Sequence, residues 1–107
     1  LALKEKDPEE AQDYLEQAFA LAPEHPSVLF NLGLLHLQTQ TYVEAVAYFQ
    51  KVIQIAPEHP KAAYNLGVAF QKLGKKAEAK QIWLQLLKSH PEDRQVLKAL
   101  ERLEQTP

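Results

Sequence analysis

The segment Ala22-Pro23-Glu24-His25-Pro26 recurs unchanged as Ala56-Pro57-Glu58-His59-Pro60, 34 positions further along the chain. A fixed period of that length, punctuated by prolines, restricts the fold to a stack of short helix–turn–helix units. No unit of such a stack hides its apolar face alone; each does so against its neighbours. The chain is therefore read as an all-α solenoid of antiparallel helix pairs.

Two complete units can be cut, 26–59 and 60–93, within a single domain spanning 1–107. Aligned without gaps they share Pro26/Pro60, Asn31/Asn65, Leu32/Leu66, Gly33/Gly67, Glu44/Glu78, Ala45/Ala79, Pro57/Pro91 and Glu58/Glu92. These identities fall on small, turn and core residues, where paired helices have least freedom. Phe30/Tyr64, Phe49/Trp83, Val52/Leu86 and Ile53/Leu87 match in kind.

With these residues in view, the chain resembles the tetratricopeptide repeat family. That family's pattern of W-x2-L-G-x2-Y, A-x3-F and P reads here as Leu29-x2-Leu32-Gly33-x2-His36, Ala45-x3-Phe49 and Pro57. The second unit supplies Ala63-x2-Leu66-Gly67-x2-Phe70, Ala79-x3-Trp83 and Pro91. Leu29 and Ala63 replace the usual Trp, and His36 the usual Tyr. Ala11-x3-Leu15, Ala18 and Pro23 resemble the second half of an earlier unit, making 1–25 a partial repeat and 94–107 a capping helix. The resemblance covers nearly the whole chain and implies the family's right-handed superhelix. It is specific for fold and leaves the ligand open.

Six helices are predicted. Residues 1–5 are the last turn of a helix, and a second, begun by Asp7-Pro8-Glu9-Glu10, runs to about Leu21. The full units supply helices at 27–39, 42–55, 61–73 and 76–89, with Gly74 as a left-handed terminator. The last, at 94–104, places Val96, Leu97, Leu100 and Leu103 on one face. Within the first helix of each unit, Leu29, Leu32, Gly33 and His36, and then Ala63, Leu66, Gly67 and Phe70, form the expected core stripe. Mid-helix glycine costs about 1 kcal/mol relative to alanine, so Gly33 and Gly67 are read as permitting close helix approach, with Ala45 and Ala79 opposite.

The nearly opposite stripe is free. It comprises Ser27, Phe30, Asn31, Leu34, Leu37 and Gln38, then Lys61, Tyr64, Asn65, Val68 and Lys72, and continues to Lys98 and Arg102. In arrays of this family that stripe lines a concave groove holding a partner's peptide or helix. A face meant only for water would not carry Phe30, Leu34 and Leu37, although a flanking segment could also cover them. The expected partner is a protein segment with apolar anchors at one end and acidic residues at the other. Some family members clamp the C-terminal carboxylate of chaperone tails with Lys, Asn and Arg. Asn31, Lys61 and Asn65 match part of that set, but Asn65 stands where Arg is expected.

Other classes are disfavoured. The net charge of −2, with Lys75-Lys76-Ala77-Glu78-Ala79-Lys80 mixing signs, argues against nucleic acid. No apolar run is long enough to span a membrane. The chain has no cysteine, and none of its four histidines makes an i, i+4 pair. No metal, cofactor or catalytic set is therefore expected; the turn histidines are read as repeat inheritance and Trp83 as core. Because residue 1 is Leu, the chain is expected to be a piece of a longer protein, whose open edge around Leu1 and Leu3 supports self-association. The expected role is an interaction scaffold within a larger bacterial assembly or biogenesis protein, in the cytoplasm or the periplasm. The rival is a spacer or self-association module without a peptide ligand.

Overall fold

The computed structural model describes residues 13, 14, 16–18, 20 and 24–105. Among these residues the regular structure is helical and no strand occurs. Helices α1 (Pro26–Gln38), α2 (Tyr42–Ile55), α3 (Pro60–Lys72), α4 (Lys76–Ser89) and α5 (Arg94–Gln105) follow in order, and residues 13, 14, 16–18 and 20 are also helical. The expected turn at 1–5, the Asp7 cap and the apolar edge at Leu1 and Leu3 lie outside the described residues. Each helix packs on its chain neighbour, and α1 also touches α3. No helix among the described residues is long and apolar enough to cross a membrane.

Three helices of the stack share one starting device. Pro26 and Pro60 occupy the first position of α1 and α3, where a missing N–H costs no helical bond. The residue before each is a histidine that caps. His25 Nδ1 accepts from the Ser27 N–H at 3.2 Å, and His59 Nδ1 accepts from the Ala62 N–H at 3.0 Å. One period later, Asp93 Oδ1 accepts from the Val96 N–H at 3.2 Å. The turn histidines are thus more than repeat inheritance: each satisfies a backbone donor that the helix start leaves orphaned.

The helix ends also repeat. Gly74 follows α3 with φ of +79°, the left-handed conformation expected of it. Its counterpart one period earlier is Gln40, held at φ of +65° without glycine's freedom.

The apolar interior runs across unit boundaries. Leu29, Ala45, Phe49 and Val52 of the first unit cluster with Ala62, Leu66 and Ala69 of the second. Ala79, Trp83 and Leu86 cluster in turn with Val96, Ala99 and Leu103 of α5. Each second helix is therefore gripped by its own first helix and by the next one. This corrects the core stripe. Leu35, Ala62 and Ala69 are buried, although the stripe omitted them, because they face a neighbouring unit or the unit's own second helix. His36, Ala63 and Phe70, expected in the core, are only half-buried. On α5, Ala99 takes a buried place and Leu97 lies 46 % exposed, since α5 packs chiefly on the single helix α4.

His36 sits at an edge. Its ring stacks on Tyr48 with centroids 5.4 Å apart, and its Nδ1 lies 2.7 Å from Thr41 Oγ1. The Thr39 and Thr41 hydroxyls are 2.9 Å apart and complete a polar knot over the α1–α2 turn.

The glycines meet rings, and this sharpens the expectation that Ala45 and Ala79 oppose them. A Cβ on Gly33 would come within 2.5 Å of Phe49 Cε1, and one on Gly67 would overlap the Trp83 indole still more deeply. Phe49 and Trp83 are fully buried. Trp83 Nε1–H also donates to the Tyr64 carbonyl at 3.1 Å, so its one polar atom is satisfied inside the core.

Candidate functional site: the face of α1, α3 and α5

The period sets which side chains align across the stack. Adding 34 carries Phe30 to Tyr64 to Lys98, and Leu34 to Val68 to Arg102. Each row therefore runs from apolar to cationic toward the C-terminus. Lys61 and Lys72 flank the middle helix at the equivalents of Ser27 and Gln38.

The apolar members are anchored in the core beneath them. Phe30 is half-buried, with its ring centroid 5.8 Å from Phe49 and 5.0 Å from His59. Leu34 and Leu37 pack on the same cluster and remain partly open. Tyr64 stacks on Trp83 at 6.2 Å and 24°, and Val68 joins it on the second cluster. These side chains are fixed in place and keep part of their surface in solvent. Rigid, half-exposed apolar groups lose little freedom on binding.

The polar members are freer. Ser27, Asn31, Gln38, Lys61, Lys72, Lys98 and Arg102 are exposed. Among the described residues Lys61, Lys72, Lys98 and Arg102 make no ion pair. Asn65 is half-buried and its Nδ2 donates to the Lys61 carbonyl at 2.9 Å, so its amide is turned back onto its own helix. Lys98 shares an open depression on α5 with Glu101 and Glu104, which weakens the positive character at that end. Glu104 itself pairs with Lys80 at 3.1 Å across the solvent-exposed α4–α5 boundary.

Apolar surface also occurs on the second helix of each unit. Val43 on α2 is 67 % exposed, and Ile55 and Leu84 are exposed on α2 and α4. Helical periodicity could have flagged them, since each lies off its helix's buried stripe.

Models of the family described as tetratricopeptide repeat match residues 1–60 and 36–103. No curated protein matches the chain. Among solved structures, the chain is similar to the second tetratricopeptide repeat domain of human RPAP3, in complex with the HSP70 peptide SGPTIEEVD. The identity is 26 %, covering 96 % of this chain and 86 % of that one, with a TM-score of 0.87. The first such domain of Spaghetti (RPAP3), bound to the HSP90 peptide SRMEEVD, superposes at a TM-score of 0.88. It is 20 % identical over 95 % of this chain and 81 % of that one. YrrB, a repeat protein with an unusual peptide-binding site, is 24 % identical over 92 % of this chain and 51 % of that one, at a TM-score of 0.86.

Proposed function

The chain belongs to the tetratricopeptide repeat family, and from that premise we propose that it binds a segment of a partner protein on the face of α1, α3 and α5. The observation that carries this reading is the graded double row, Phe30–Tyr64–Lys98 and Leu34–Val68–Arg102, on a rigid base. The partner segment carries apolar anchors toward Phe30, Leu34 and Leu37, and Asp, Glu or a free carboxylate toward Lys61, Lys72, Lys98 and Arg102. Apolar burial supplies most of the affinity, while the charges set polarity and speed association.

The HSP70 peptide held by the human RPAP3 domain, SGPTIEEVD, combines an isoleucine with acidic residues. Support from that relative extends to the chemistry of the segment. The grip differs, because Asn65 stands where a cation is needed and its amide is already committed to Lys61. The setting proposed for the module is a larger bacterial assembly or biogenesis protein, on the appearance of its repeats. Peptide arrays test the binding face directly: acidic segments containing Leu or an aromatic residue should be retained, and binding should weaken moderately as salt rises. Retention that survives substitution of Phe30 and Leu34 but is lost on changing surface residues of α2 and α4 would move the site to the other face.

A further inference from the structure

A second recess lies at the turn edge of the stack, and no residue of the proposed groove lines it. It has a volume of about 260 Å³, between the turn after α2, the start of α3 and the end of α4. Its apolar floor is Ile53, Ala63, Ile82 and Leu86, and its rim is Glu58, His59, Gln85, Ser89 and His90.

Internal repetition shows why it is open. Subtracting 34 carries Ala63 to Leu29 and Ile82 to Tyr48. The first unit places a leucine there, fully buried. The second unit has an alanine in place of that leucine, and Ala63 is only half-buried. Its rim has changed in the opposite sense, since Ser89 and His90 stand where the first unit has Ile55 and Ala56. A floor that lost bulk at Ala63 and a rim that gained hydrogen-bonding groups at Ser89 and His90 have the anatomy of a pocket for one apolar anchor with a polar collar.

We propose that this recess is a second docking site, taking a branched aliphatic side chain of a partner segment with a basic residue beside it. The first unit defines the occupant, because its residue at the Ala63 position is the fully buried Leu29. Charge defines the flank: Glu58 is the one carboxylate on the rim, and no lysine or arginine joins it. His59 Nδ1 already accepts from the Ala62 N–H, so its ring offers the Nε2 side as a donor to a bound backbone carbonyl.

The test is a nuclear magnetic resonance titration of the whole chain with acetyl-Gly-Leu-Lys-Gly-amide. The expected result is saturable shifts at the Ala63, Ile82 and Leu86 methyls in the millimolar range. Acetyl-Gly-Ser-Lys-Gly-amide should cause none, and acetyl-Gly-Leu-Glu-Gly-amide should bind at least about twofold more weakly. Ala63→Leu should fill the recess from within, abolish those shifts and raise the melting midpoint by about 2–8 °C. Should that variant misfold, Ala63→Val fills the same recess with less bulk and must also weaken binding of the peptide. Absence of saturable shifts at the floor, or shifts that persist in a folded filled variant, would overturn the proposal. Equal binding of the Leu-Lys and Leu-Glu peptides would refute the basic flank.

Discussion

Replacing Gly67 by alanine sets two effects against each other, and the structure decides between them. Alanine in mid-helix is favoured over glycine by about 0.8–1 kcal/mol. Against that gain, the new methyl would overlap Nε1, Cε2 and Cδ1 of the Trp83 indole. That ring has no free space, being fully buried among Ala79, Leu86 and the apolar face of α5. Moving it stretches the bond from Nε1 to the Tyr64 carbonyl, worth about 0.5–1.5 kcal/mol. Displacing a packed ring adds an overpacking penalty of about 1–3 kcal/mol. The sum is a net loss of about 0.5–3.5 kcal/mol, or a fall of about 2–25 °C in melting midpoint for a domain this size. Circular dichroism gives the midpoint. Because Trp83 is the one tryptophan, its fluorescence reports the displaced ring directly. A Gly67→Ala variant that melts at or above the parent, with unchanged emission, refutes the packing argument.

Other outcomes follow from the caps, the turns and the binding face. His59→Ala should cost about 0.5–2 kcal/mol by orphaning the Ala62 N–H, whereas His59→Asp should keep most of that stability, as Asp93 does at the next start; chemical denaturation measures both. Gln40→Gly should stabilise by up to about 1–2 kcal/mol, because it relieves a left-handed residue without losing a buried side chain; a lower midpoint in thermal melts would contradict this. Phe30→Ser with Leu34→Ser should abolish partner binding in a variant still helical by circular dichroism. Lys61→Ala with Lys72→Ala should only weaken it and flatten its salt dependence.

The period made the architecture legible, because a 34-residue repeat with prolines at its turns has few physical solutions. Helix starts at Pro26 and Pro60, the left-handed Gly74 and the burial of Leu29, Leu32, Phe49 and Trp83 all follow from local rules. Burial of Ala62 and Ala69 was hidden, because a helical wheel drawn for one unit cannot see the neighbour that covers them. Gln40 was hidden for a different reason: its φ is imposed by the turn, and no glycine announces it. The caps at His25 and His59 could have been found, since a side-chain acceptor directly before a helix-starting proline is a capping signal; histidine is simply a less usual acceptor than Asp or Ser. Of the proposed binding face, the sequence carried the register and the chemistry of each row. The anchoring of Phe30 between Phe49 and His59 depends on packing that reaches the next unit and emerges only in three dimensions, whereas the Asn65 amide turns back onto the Lys61 carbonyl of its own helix.

In the proposed complex a partner segment lies along α1, α3 and α5 with its apolar end at Phe30 and its acidic end at Arg102. Paramagnetic relaxation measures this most directly, using a peptide selected from the array and spin-labelled in turn at each end. The label at the apolar end should broaden resonances of Leu34 and Leu37, and the label at the acidic end those of Lys98 and Arg102. Broadening confined to Val43, Ile55 and Leu84 on α2 and α4, or the same pattern from both labels, would contradict it.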